Sequence, residues 1–164
     1  MKCINCNEQE PNKASGLCND CEQVEQGKIN GLLYLPAAGL IIALMYTPWE
    51  LWEFCQAVLS YFHMAGIISW YAIGAILLIV LYMAITVFAA LQFFRRRKKT
   101  PRAMAGYYLF GLISALYFTV LPATLFGAAF DQNDIRTLLS ATVGVVLWLP
   151  YFFISKRINR VFVF

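Results

Sequence analysis

Polar and apolar positions divide this chain into one short polar stretch and four long apolar runs. The first 28 residues are polar and cysteine-bearing, and the apolar runs cover about 29–46, 68–94, 104–128 and 138–154. Some 20 apolar residues cross the hydrocarbon core of a bilayer, so each run predicts a transmembrane helix. The first and last are near the lower limit of length, and the second is long enough to tilt. Between the first two runs the period changes: Glu50, Glu53, Gln56, Ser60 and His63 recur every three or four residues, a polar stripe on one helical face. Thr47-Pro48-Trp49-Glu50 reads as the start of that helix, with Thr47 as N-cap, Pro48 at the first helical position and Glu50 as capping-box partner. With Trp49 and Trp52 off the stripe, an amphipathic helix over about 48–64 is predicted. It would lie on the outer leaflet or fold over the outer mouth of the bundle.

The predicted fold class is therefore an all-α membrane protein. It has four transmembrane helices and an outer amphipathic helix in a domain over 29–164, preceded by a small module at residues 1–28. Composition agrees: 60% of the residues are hydrophobic and 13% charged, where soluble domains are about one-quarter charged. No cleavable signal is expected, because the first apolar run begins late and continues too far.

The net charge of +4 would suggest a nucleic-acid partner if it were spread out. It is not. Arg95, Arg96, Arg97, Lys98, Lys99 and Arg102 form one cluster and Lys156, Arg157 and Arg160 another, each directly after an apolar run. Basic residues so placed hold a loop on the cytoplasmic side and suit anionic lipid headgroups, which leaves nucleic acid without a role. With the N-terminus inside, twelve of the thirteen Lys and Arg are cytoplasmic and only Arg136 is outside. Both termini are then cytoplasmic.

The one constellation that carries chemistry is Cys3-x-x-Cys6 with Cys18-x-x-Cys21, two hooks separated by eleven residues. Four thiolates form the tetrahedral set that structural zinc prefers, in a compact version of the usual spacing. A cytoplasmic position argues against resting disulfides; redox-active dithiols and iron stay open as alternatives. A closed four-sulfur site has no open position for a substrate, so it reads as structural and non-catalytic.

The remaining candidates have plain readings. Cys55 reads as a small apolar residue on the packed side of the outer helix, and His63 as the end of a solvated stripe. Tyr34, Tyr46, Tyr71, Tyr107 and Tyr117 read as interfacial anchors or packing. Pro122 is the expected kink, with Pro36 and Pro150 shaping the cytoplasmic ends of the first and last spans. Gly39-x-x-x-Ala43 and Gly111-x-x-x-Ala115 allow close helix approach. No ionisable residue falls in the middle of a predicted span, which argues against a self-sufficient ion-coupled transporter. No nucleophile–base set, phosphate loop or paired carboxylates are visible, so no enzyme is expected.

Gly31-Leu32-Leu33-Tyr34-Leu35-Pro36-Ala37-Ala38-Gly39-Leu40 resembles the opening of a bacterial membrane family catalogued as domain of unknown function 2569. The stretch from Trp148-Leu149-Pro150-Tyr151-Phe152-Phe153 through Ser155-Lys156-Arg157 to Val161-Phe162 resembles its closing segment. The resemblance covers roughly residues 30–164 and implies a four-span bacterial inner-membrane protein of unassigned activity, with no catalytic residues to carry over. The cysteine hooks are not part of it and look like an added zinc ribbon. The expectation for function is a non-enzymatic interaction, assembly or regulatory platform that meets a protein partner through the ribbon. The alternative is a lipid or small-amphiphile transporter, or the membrane subunit of one.

Overall fold

The computed structural model describes residues 3–6, 10, 16–21, 31–155 and 158–162. A 3-10 turn, Gly31–Leu33, opens α1 (Tyr34–Ala65), followed by α2 (Trp70–Phe94) and α3 (Thr100–Phe126). The fourth long element is α4 (Gln132–Val143), a π-helical turn (Gly144–Trp148) and α5 (Leu149–Ile154); a short α6 (Ile158–Val161) comes last. Four helical stretches, Gly31–Ala65, Trp70–Phe94, Thr100–Phe126 and Gln132–Ile154, are long and apolar enough to cross a membrane. This is a multi-pass membrane protein with no strand among the described residues.

The largest departure from the sequence reading is α1. Thr47-Pro48 does not start a second helix: a single helix of 32 residues runs through it. Pro48 lacks an N–H, so it frees the carbonyl of Leu44, yet the Thr47 hydroxyl is turned back onto the Ala43 carbonyl at 2.7 Å and is buried rather than capping. Losing one backbone bond costs less than opening both ends of a break at membrane depth. Packing holds both halves in line, with Leu40 in the main core and Phe54 against Phe118 of α3. The predicted outer helix is thus the second half of α1. Glu50, Glu53, Gln56, Ser60 and His63 do keep an exposed face there, and Cys55 is half-buried.

Other ends follow local chemistry. Ser69 caps α2 by accepting from the Ala72 N–H at 3.2 Å. Asp131 accepts from the backbone of Asn133 and Asp134 at 2.7 and 2.8 Å while the Asp134 carboxylate accepts from the Asp131 N–H, a full capping box. That box starts the fourth helix at Gln132, six residues before the predicted start at 138, and puts Asp134 and Arg136 in its first turns.

Consecutive helices pack as neighbours, and α3 also packs on the π turn and α5. The main core cluster lies at one end. Leu33, Ala37 and Leu40 of the first element meet Ala89 and Phe93 of α2, Ala103 and Met104 of α3, Phe152 of α5, and Ile158, Val161 and Phe162. Phe162 tilts against Phe93 with ring centroids 5.3 Å apart. The opening and closing segments therefore close on each other in one buried cluster. Away from it the helices are sparsely covered, and Leu77, Leu81, Leu116, Leu139 and Val146 face outward. Lipid is as apolar as these side chains, so outward leucines carry no penalty in a bilayer.

The basic loop lies beside the core. Arg96 has φ +51°, the only non-glycine residue with positive φ among those described. Its N–H donates to the Phe93 carbonyl and that of Arg97 to Gln92, both at 3.1 Å, which is a Schellman closure with arginine in the glycine position. The Thr100 hydroxyl donates to the Gln92 and Arg97 carbonyls at 2.8 and 2.6 Å, so α3 begins within the same turn. A left-handed arginine costs about 1 kcal/mol. Arg96→Gly should therefore raise the melting temperature in detergent by about 2 °C, and an unchanged or lower value would show that the arginine side chain compensates.

Candidate metal centre and intramembrane cavity

In the N-terminal module the first hook is a turn over Ile4–Cys6, and the second leads into a helical turn over Asn19–Cys21. The Ile4 N–H donates to the Gly16 carbonyl at 3.3 Å, tying the hooks together. Gly16 has φ +69°, and a Cβ there would stand 2.9 Å from Ile4 Cδ1, so both conformation and space ask for glycine. The Sγ atoms of Cys3, Cys6, Cys18 and Cys21 lie within 4.8 Å of one another, with Cys6 and Cys18 at 3.6 Å. Zinc–sulfur bonds of 2.3 Å set tetrahedral edges of roughly 3.8 Å, so a small contraction fits the four thiols to a metal.

The electrostatics of the four thiols reflect their crowding. The Cys6 backbone N–H, then that of Cys18 (3.1 Å to Sγ), holds Cys3 down to about 6. Cys21 is pushed up to about 12, first by the Cys18 side chain and then by burial. Cys18 is raised as well, although the Cys21 backbone pulls it the other way. Cys3 and Cys18 have almost no accessible surface, yet their cover is a thin shell, not a deep core. Four thiolates this close repel one another, and a divalent ion is what lets all four ionise together.

The basic residues Arg95, Arg96, Arg97, Lys98, Lys99 and Arg102 come together at the core end of the bundle, around the α2–α3 turn. Lys156 and Arg157 lie outside the described residues.

A second site was not foreseen. Between α2, α3 and the fourth helix is a cavity of about 270 Å³, lined by Tyr82, Tyr107, Tyr108, Thr137, Ser140 and Gly144 among others. Tyr82 stacks on Tyr107 (5.7 Å, 17°), and Tyr107 meets Tyr108 edge-on at 5.2 Å. The π turn starts at Gly144, where a Cβ would come within 3.2 Å of Tyr108 Cδ1. One extra residue in a helical turn redirects side chains locally, a common device at functional sites.

Glu50 stays on the exposed face of α1 and does not line this cavity. The first helix does not end at Tyr46: α1 continues past Glu50 to Ala65. Of the tyrosines weighed in the sequence, Tyr34 and Tyr46 face outward, and Tyr71 stacks on Tyr117 (5.2 Å, 4°), whose hydroxyl donates to the Tyr71 carbonyl at 2.9 Å. Tyr82 and Tyr108 gave no signal in the sequence; only helix pairing brings them to Tyr107. A separate notch of about 350 Å³, lined by Val58, Tyr61, Ile68 and Phe126 among others, opens at the far end of the bundle.

No curated protein and no solved structure matches the chain. One family does, described as protein of unknown function (DUF2569), over residues 26–163. Its match takes in the whole membrane-crossing part, including both segments that close the core, and leaves out all four cysteines: the chain belongs to the DUF2569 family.

Proposed function

We propose that this chain is a non-enzymatic carrier, or the membrane subunit of a carrier, for a lipid or small amphiphile, with the metal module as its docking point for a protein partner. The observation that carries the reading is the hydroxyl-lined cavity between α2, α3 and the fourth helix, three of the helices long and apolar enough to cross a membrane. A mixed lining of hydroxyls and aromatic rings suits an amphiphile, which has a polar and an apolar part. The ribbon of Cys3, Cys6, Cys18 and Cys21 holds zinc structurally and fixes the shape of a contact surface. The basic cluster from Arg95 to Arg102, with Lys156 and Arg157, keeps both termini cytoplasmic in a bacterial inner membrane and touches anionic headgroups.

A pure assembly platform is the second reading, favoured by the closed sulfur set, which offers no reactive position. Purification from native membranes after mild crosslinking, with wild type beside a variant lacking all four ribbon cysteines, separates the two. A lipid or solute that co-purifies with both forms supports the carrier. A protein partner lost with the ribbon, with no bound small molecule in either form, overturns it in favour of the platform.

A further inference from the structure

We propose that the cavity between α2, α3 and the fourth helix takes the polar end of an uncharged amphiphile that carries an alcohol or diol. This rests on the carrier reading and adds the chemical class of the ligand.

The lining separates charged ligands from neutral ones. Tyr82, Tyr107 and Tyr108 bring three phenols to it, and Thr137 and Ser140 bring two aliphatic hydroxyls. No Lys, Arg, His, Asp or Glu lines it; Glu50 and Arg136 are both exposed and outside it. A charged headgroup entering there gives up water and meets no counter-charge, which is expensive between membrane helices. A wholly apolar ligand would leave the hydroxyls without partners, a smaller cost of the same kind. An alcohol avoids both costs, since it donates one hydrogen bond and accepts two, as each hydroxyl of the wall does.

The wall offers hydroxyls and not ring faces. Tyr82 is stacked on Tyr107 and Phe110, with centroids 5.7 and 6.4 Å away. Its hydroxyl reaches α3, 3.8 Å from where a Cβ on the lining residue Gly111 would stand. Ser140 donates to the Thr137 carbonyl at 3.1 Å and keeps its acceptor positions. The hydroxyls of Tyr108 and Thr137 bond to no described residue.

Shape and size agree. Among the described residues α2 and the fourth helix each pack on α3 and not closely on each other. α3 therefore floors a cleft whose two walls leave a gap for a tail. About 270 Å³ is smaller than a typical drug-sized site and suits a headgroup with its tail left outside. Gly144, at the start of the π turn, keeps the space open, since a Cβ there would stand 3.2 Å from Tyr108 Cδ1.

The full chain in phosphatidylcholine nanodiscs, whose headgroups carry no hydroxyl, should be titrated by calorimetry with empty nanodiscs as blank. The probes are monooctanoylglycerol, methyl octanoate, octyltrimethylammonium and octyl sulfate. Monooctanoylglycerol is expected to bind saturably and at least about tenfold more tightly than the other three. Glycerol is the tail-free control: weaker binding than monooctanoylglycerol supports the amphiphile, and equal binding overturns it in favour of a free polyol. Tyr108→Phe with Thr137→Val, each close in shape, should weaken monooctanoylglycerol at least about tenfold and leave methyl octanoate and the melting temperature unchanged. A charged probe or methyl octanoate binding as tightly as monooctanoylglycerol overturns the alcohol assignment. So does monooctanoylglycerol binding that is not saturable or is untouched by the double variant. The probe series on the wild-type chain decides the class even where the double variant fails to fold. A lipid co-purifying from native membranes would still support the carrier, so the two readings fail separately.

Discussion

Cys3→Ser with Cys6→Ser is expected to remove bound metal entirely and to dismantle the N-terminal module while the membrane domain stays inserted and folded. Metal per chain, measured by mass spectrometry on purified protein, should fall from near one to near zero. The effect is large because a module of this size has no core of its own: among its described residues only Cys3 and Cys18 are buried. For such small sites, binding free energy is folding free energy, about 10–16 kcal/mol at neutral pH. Serine has about the right size but does not supply a thiolate. The two remaining thiols, Cys18 and Cys21, are only half of the four-sulfur set, so they hold no metal tightly. Limited proteolysis should then cut within the first ~25 residues, with the thermal transition of the helical domain unchanged. Metal retained at one per chain would show that these thiols are not the ligands. Loss of the whole chain from the membrane would show that the two parts are not independent.

The four thiols were legible because metal ligation needs residue types at short, fixed spacing, and both hooks are local in sequence. The four long helices were legible for a similar reason: apolar run length is a one-dimensional signal. What failed was punctuation. Pro48 after Thr47 carries every mark of a helix start, and in a soluble protein that reading would have had physics behind it. At membrane depth an interrupted helix costs more than a proline inside one, so context outweighed the local signal and the helix runs on past Pro48 to Ala65. Asp131-Gln132-Asn133-Asp134 is the opposite case: its capping box is present in plain sequence but stands six residues ahead of the apolar run that marks the span. The cavity had no sequence signature. Tyr82 comes from α2 and Tyr107 and Tyr108 from α3, and their meeting depends on helix rotation, which no periodicity in a lipid-facing chain fixes.

Helix contacts show the same limit, and they lead to the second large prediction. The small-residue pairs expected to allow close approach do little of it: a Cβ at Gly39 would meet nothing within 4 Å, and one at Gly111 would make ordinary contact with Tyr82 at 3.7 Å. The close approach is at Gly74, where a Cβ would run into the hydroxyl of Tyr117 and stand 3.4 Å from its Cζ. Tyr117 has little room to retreat, because its ring is stacked on Tyr71 and edge-on to Phe118, and its hydroxyl is bonded to the Tyr71 carbonyl. Gly74→Leu should therefore force α2 and α3 apart at a cost of about 2–3 kcal/mol, lowering the melting temperature in detergent by roughly 5–10 °C. Gly74→Ala should cost less, about 1–2 kcal/mol. Tyr117→Phe, which gives up one interhelical hydrogen bond, should cost about 0.6 kcal/mol. The decisive measurement is the double variant Gly74→Ala with Tyr117→Phe. Removing the hydroxyl makes room for the new methyl, so the two changes together should cost less than their sum by about 1 kcal/mol. Strict additivity would mean that Gly74 and Tyr117 do not touch, and the α2–α3 packing described above would be wrong at that level. Gly39→Ala, with open space around it, should leave stability within about 0.5 kcal/mol of wild type.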